Sequence, residues 1–224
     1  MARCSRRMFL TLLATTAVLP TAAAQTSGPV VRETDAAARD PALVKVRAAI
    51  VAAVKAKDFK QLEPHLDPNI LIVFGGSNGA AVFAESLRTD PVMWDELDWV
   101  LAHGGRFLEG KFWAPYTYQA KVGSIDVYDA GFIVADNVPA RAEAKADAAV
   151  VATLSHHVVK VTDWREPEKA ARPFYNRQDW IRIELPAKRS AWVEARYVRG
   201  MGDYRAGFAK IRGVWKLNAF VRGD

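Results

Sequence analysis

Leu43, Val46, Ile50 and Val54 recur at steps of three and four residues, the spacing of one apolar stripe on a helix. Asp40-Pro41 precedes the stripe, a capping acid followed by a residue suited to the first helical position, so a helix is predicted from 41 to about 56. Lys45, Arg47, Lys55 and Lys57 fall off the stripe, while Phe59 and Leu62 extend the surface to be buried. Asn69-Ile70-Leu71-Ile72-Val73-Phe74 is a short apolar run closed by Gly75-Gly76 and reads as a strand. Residues 80–87 suit a short helix. Asp90-Pro91 repeats the start signal, Met93, Leu97, Val100 and Leu101 form a second stripe, and Gly104-Gly105 stop it.

From Lys111 the texture changes to β, with Phe112-Trp113, Tyr116-Thr117-Tyr118, Val127-Tyr128 and Phe132-Ile133-Val134. Beyond Asp136, the runs 150–154, 158–161, 180–185 and 191–193 are short, apolar and separated by polar turns, which predicts a small barrel or sandwich. Residues 166–176 form a long excursion between two of these strands. Tyr204 to Lys210 and Val214 to Phe220 flank Arg212-Gly213 and predict a hairpin. Its large apolar groups, Tyr204, Phe208, Ile211, Trp215, Leu217 and Phe220, are too many to stand in water, so it is expected to pack back on the rest.

The first 24 residues have a different logic. A basic head (Arg3, Arg6, Arg7), an apolar run from 8 to 19 and the small-residue exit Ala22-Ala23-Ala24 have the layout of a bacterial export signal. Arg6-Arg7 followed by Phe9-Leu10 resembles a twin-arginine signal. Thr11 replaces the usual lysine, so a Sec signal stays open. A periplasmic protein, cleaved near Ala24, is expected. The chain's one cysteine, Cys4, lies in this segment, which excludes a disulfide framework and thiol chemistry from the mature part. No later run is long and apolar enough to span a bilayer.

The whole-chain charge of +6 hides an asymmetry. Residues 25–136 hold 11 Lys/Arg against 15 Asp/Glu, a net of −4, while residues 137–224 hold 17 against 10, a net of +7. Two units are implied, the second attracted to anions. In the periplasm that sets nucleic acid aside in favour of anionic wall polymer, lipid head groups or the acidic first unit.

Residues 137–199 resemble a bacterial SH3-like domain, the type called SH3b. The resemblance rests on Val138-Pro139-Ala140-Arg141, Val150-Val151-Ala152-Thr153-Leu154 with Val159 and Val161, Trp180-Ile181-Arg182-Ile183, and Ala191-Trp192-Val193 with Tyr197-Val198. It implies a small barrel of the kind that often binds peptidoglycan or its stem peptides. Ala142-Glu143-Ala144 departs from the Ser-Gly-Pro that normally follows the early arginine, and Ala191 replaces the usual glycine before the closing tryptophan.

The whole chain also resembles a set of exported proteobacterial proteins of no known activity, through the segments 74–79, 97–105, 112–116 and 204–224. Residues 46–74 plus the last hairpin are similar to the NTF2-like cone fold, with its "G-x-W-k-l" final strand at Gly213 to Leu217.

Candidate chemistry is sparse. His156 and His157 are adjacent and would face opposite sides of a strand, and His65 and His103 lack a partner at helical spacing, so no metal set is read. Gly75 to Gly79 spell G-x-S-x-G around Ser77, a nucleophile elbow in form, yet no alternating strands and helices surround it and a tight turn explains it. Asp95, Glu96 and Asp98 read as a solvated helix face. Trp113, Tyr116 and Tyr118 are placed to stack sugar or peptide. Arg141, Phe174, Tyr175, Arg177, Trp180 and Trp192 form the candidate ligand groove of the SH3-like unit, with Trp180 and Trp192 also readable as its core.

The fold expected is α+β: an export signal (1–24), a flexible leader (25–39), an α-rich unit (40–135), a small SH3-like β-barrel (136–200) and a hairpin (201–224). The function expected is a periplasmic, non-enzymatic binding or adaptor protein without cofactor, contacting peptidoglycan or a periplasmic protein. The alternative is an NTF2-like protein with a small-molecule pocket, an enzyme included.

Overall fold

The computed structural model describes residues 28–164 and 180–223. Helix α1 (Pro41–Lys55) opens the first unit, its N-terminus capped by the Asp40 carboxylate, which accepts from the Ala42 and Leu43 amides. It is followed by α2 (Phe59–Leu62), β1 (Leu66–Leu71), α3 (Ala80–Thr89), α4 (Val92–Ala102), β2 (Arg106–Leu108) and β3 (Lys111–Ala114). The last hairpin, β11 (Arg205–Ile211) and β12 (Val214–Val221), turns through Arg212 and Gly213, both at positive φ, as a two-residue loop between twisted strands requires.

That hairpin sits in the middle of the first unit's sheet. The order is β1-β12-β11-β3-β2, with β1 parallel to β12 and the other pairs antiparallel. Leu43, Ile50 and Val54 of α1, Phe83 and Leu87 of α3, and Leu97 and Val100 of α4 pack with Phe112, Phe208, Leu217 and Phe220 of the strands in one core. The first unit is therefore built from both ends of the chain, with the second inserted between β3 and β11.

The second unit is a seven-stranded antiparallel sheet formed by β4 (Ala130–Ile133), β5 (Val138–Arg141), β6 (Val150–Leu154), β7 (Val158–Asp163), β8 (Trp180–Leu185), β9 (Arg189–Glu194) and β10 (Val198–Gly200). Its order is β10-β4-β7-β8-β9-β5-β6. Alternation decides its core face: Ile181, Ile183 and Leu185 of β8 and Ala191 and Val193 of β9 are buried, with Val138, Leu154, Val159 and Val161. The chain is thus α+β. The closed barrel expected for 136–200 is corrected, because β10 and β6 end the ladder and no pairing joins them among the described residues. Trp180 and Trp192 are displaced from the core by the same alternation and lie half-buried on the opposite face.

Residues 28–36, read from sequence as part of a flexible leader, are tied to both units. The Val158 amide donates to the Pro29 carbonyl and the Val31 amide to the His156 carbonyl, both at 2.8 Å. Further on, the Gly105 amide donates to the Thr34 carbonyl at 2.8 Å and the Ala36 amide to the Gly105 carbonyl at 2.9 Å. Backbone pairing of this kind needs no apolar pattern, so composition did not reveal it.

Candidate functional site

Where the two units meet, an open cleft of about 630 Å³ is lined by side chains from five separate segments. Phe74 comes from the turn after β1, and Tyr118 and Gln119 from the connection after β3. Tyr128 lies just before β4, Met201 follows β10, and Arg205 begins β11. Local chemistry fixes several of these positions. The Asn78 carboxamide accepts from the Ile72 and Val73 amides and donates to the Val73 and Gly76 carbonyls, shaping the turn that presents Phe74. The Trp164 indole donates to the Tyr128 carbonyl at 3.0 Å, and the Asp126 carboxylate accepts from the Tyr128 amide at 2.9 Å. The Gly223 amide donates to the Gly202 carbonyl at 2.7 Å and closes the far edge.

Arg205 is the chemically distinctive member. It is only 6% exposed, yet its guanidinium makes no hydrogen bond or ion pair among the described residues, and its Nε is a buried donor without an acceptor. Its contacts are aromatic: the guanidinium carbon stands 4.9 Å from the Tyr118 ring centre and 5.6 Å from that of Phe74. Among the described residues no Asp or Glu lines the cleft. Large apolar side chains surround the opening, with Phe74 45% and Tyr128 70% exposed.

Arg199, at the other end of the same crossing segment, has the opposite environment. It is buried, its Nη2 lies 3.0 Å from Glu96 Oε2 and its Nε 3.1 Å from Asp203 Oδ2, and its guanidinium stacks 4.2 Å from the Trp99 ring centre. This arginine is ion-paired to two carboxylates and joins β10 to α4. Glu96 is thereby corrected: it is 4% exposed rather than solvated, while Asp95 pairs with Lys57 at 3.0 Å.

The residues singled out from sequence disperse. Arg141 on β5 is paired in register with Trp192 on β9, which is paired in turn with Arg182 on β8, so the three form one cross-strand row on the outer face. Trp180 lies two residues from Arg182 on that face, and Arg141 donates from Nη1 to the Ala148 carbonyl at 2.7 Å. None of these residues lines the cleft. Phe174, Tyr175 and Arg177, with the excursion at 166–176, lie outside the described residues. Of the aromatic trio, Tyr118 reaches the cleft and its ring centre is 5.1 Å from that of Trp113. Tyr116 is fully buried, and burial, helped by the charge of Glu33, pushes its phenol up to about 12. Ser77 is exposed in its turn and makes no hydrogen bond to a histidine among the described residues. His103 stacks on Trp99 at 4.0 Å, with Nδ1 2.7 Å from the Trp99 carbonyl. Among the described residues no three His, Cys, Asp or Glu side chains gather as a metal site. None of their helices is long and apolar enough to cross a membrane.

No family model, curated protein or solved structure matches this chain. Function is accordingly read from the cleft's own geometry. In the sequence Phe74 and Tyr118 stand out separately and Arg205 does not. The one local signal is an arginine followed by four small or apolar strand residues, Ala206-Gly207-Phe208-Ala209.

Proposed function

We propose that this is an exported, periplasmic, non-enzymatic protein that binds a small organic molecule in the cleft between its two units. The observation that carries this reading is Arg205: a desolvated guanidinium, without a polar partner among the described residues, on the wall of a cavity large enough for a metabolite. A charge buried without a partner costs several kcal/mol by general estimates, and a ligand that pairs with it recovers that cost. The cleft also draws on Phe74, in the first unit's N-terminal part, and on Arg205 and Gly223, in and after its last hairpin. That dependence on segments far apart in sequence favours a pocketed, NTF2-like reading of the first unit, with helices on one face of a sheet completed by the last hairpin.

The outer row of the second sheet supports a separate contact with the cell wall. Arg141, Trp192 and Arg182 offer cations around an aromatic face, in the half of the sequence that carries the net positive charge. We read this unit as SH3-like in strand succession, with the 3-10 turn Ala195–Tyr197 before its last strand. Co-sedimentation with peptidoglycan sacculi at moderate salt tests that contact. Pelleting lost in Arg182→Glu is expected; protein left in the supernatant would remove it.

The cleft reading is tested with the fluorescent aryl sulfonate 1-anilinonaphthalene-8-sulfonate. Saturable single-site enhancement is expected in the wild type. Gly202→Trp should abolish it, because the indole would occupy the cavity. Enhancement unchanged in that variant would place the dye elsewhere and refute the site.

A further inference from the structure

We infer that the ligand of this cleft is an apolar monocarboxylate: one carboxylate seated on Arg205, attached to an aromatic or aliphatic body held by Phe74, Tyr118, Tyr128 and Met201. The inference rests on the cleft being a binding site and goes further by fixing the chemistry of what binds. Three features of the lining select it.

The first is charge. Among the described residues that line the cleft Arg205 is the one Lys or Arg, and no acidic side chain accompanies it. A single cation answers a single anionic group. A polyanion, a nucleotide or a phosphorylated glycan would leave charges facing an apolar wall, at a desolvation cost nothing in the cleft offsets. A cationic or zwitterionic ligand would bring its ammonium group beside a guanidinium with no carboxylate to receive it.

The second is the donor geometry. The rings of Phe74 and Tyr118 take the guanidinium's aromatic contacts, and the buried Nε remains a donor without an acceptor. A guanidinium offers Nε–H and Nη–H as a parallel fork, which matches the two oxygens of a carboxylate. An uncharged carbonyl satisfies one donor and leaves the charge unpaired.

The third is the body of the pocket. Apart from Arg205, the polar side-chain groups on the wall are the Gln119 amide and the Tyr118 and Tyr128 hydroxyls, whereas Phe74, Ala120, Val122, Val127 and Met201 are apolar. A sugar or peptide needs many directional partners, and this wall supplies few. An acyl chain or aryl ring needs area, which these residues supply.

The test is isothermal titration of the full protein with phenylacetate, 4-phenylbutyrate, octanoate and dodecanoate, each against its uncharged primary amide. At least one carboxylate should bind at one site about ten- to a hundredfold tighter than its amide, the range expected for a desolvated charge-assisted pair. Arg205→Met should bring that carboxylate down to the amide's affinity, and Arg205→Lys should retain part of the difference. A second variant avoids any dependence on the buried position: Val127→Glu, at a wall residue 38% exposed, should weaken the carboxylate at least tenfold and spare the amide. Equal binding of acid and amide, with both lost in Gly202→Trp, would overturn the carboxylate while leaving the cleft reading intact. No binding by any member of either series, together with no dye binding, would overturn both.

Discussion

Arg199 and Glu96 lie 103 residues apart in sequence and meet at 3.0 Å, both removed from solvent, where the second unit joins the first. Asp203 supplies a second carboxylate to Arg199, and Trp99 stacks on the guanidinium. A few residues later Arg205 is also buried, at 6% exposure, and has no carboxylate partner among the described residues. The contrast separates a structural arginine from one available to a ligand.

Removing one partner of the structural pair should be expensive. Glu96→Ala and Arg199→Ala are each expected to lower the unfolding free energy by about 3–5 kcal/mol, the usual cost of stranding a buried charge. Glu96→Ala combined with Arg199→Ala should cost less than the sum of the two single changes. Urea denaturation of the four-member cycle measures this coupling; additive losses would mean that the two side chains act independently.

The hairpin's place at the centre of the first sheet makes it structural. Phe208 is fully buried with its ring centre 6.0 Å from that of Phe112, so Phe208→Ala is expected to cost about 3–5 kcal/mol. Deleting residues 204–224 should unfold the first unit outright, seen as loss of helical circular dichroism. A truncated protein with unchanged helix content would show that the sheet stands without β11 and β12.

Gly105 tests the tie between residues 34–36 and the first unit. A Cβ at this position would stand 2.3 Å from the Trp113 carbonyl oxygen, which is backbone and cannot swing aside. The same residue exchanges both of its backbone bonds with Thr34 and Ala36. Gly105→Ala is expected to lower the melting temperature by several degrees and to deprotect these amides in hydrogen exchange. Unchanged protection would show that the segment is held by other contacts.

Stability should also fall on mild acidification. Burial, with the nearby Arg32 and His156, holds the His157 imidazole below its ordinary 6.5, and burial with Lys216 does the same to His65. The Ser155 amide donates to His157 Nδ1 at 3.0 Å, a bond that the protonated ring cannot accept. Below 6.5 the unfolded chain binds protons that the folded one resists, so the contribution is complete above that value and is lost as pH falls through the lower folded pKa. Asp40, Asp58 and Glu85 are held below their ordinary values of 3.8 to 4.5 by hydrogen bonds, so they titrate outside this window. Melting temperatures between pH 7.5 and 5 should therefore drop, and the drop should shrink in His157→Asn, whose amide oxygen replaces the acceptor. An equal drop in both proteins would place the titrating group elsewhere.

Elements governed by neighbours in sequence were legible from it. Asp40-Pro41 marks the start of α1, Arg212-Gly213 marks the hairpin turn, and the Trp-Ile-Arg-Ile-Glu-Leu run of β8 already carries the alternation that turns Trp180 outward. What depended on distant residues was not. Glu96 sits between acids that read as solvated, and only Arg199 explains its burial. Arg205 is ordinary as a strand residue. Its isolation arises from Phe74, Tyr118 and the absence of any acid among the described residues of the wall they share. The insertion of one unit into another likewise leaves no local mark, because β1 and β12 pair across a long separation in sequence, Leu66 with Leu217.

The central claim is that Arg205 receives an anionic ligand in the cleft. The most direct measurement is the arginine Nε–H region of a nitrogen-15 NMR spectrum, recorded while the tightest-binding carboxylate of the panel is added. The Arg205 Nε–H resonance, assigned by its loss in Arg205→Lys, should move downfield and gain protection from solvent exchange on saturation, with the Arg199 signal unmoved. A saturating carboxylate that leaves the Arg205 resonance in place would contradict the account.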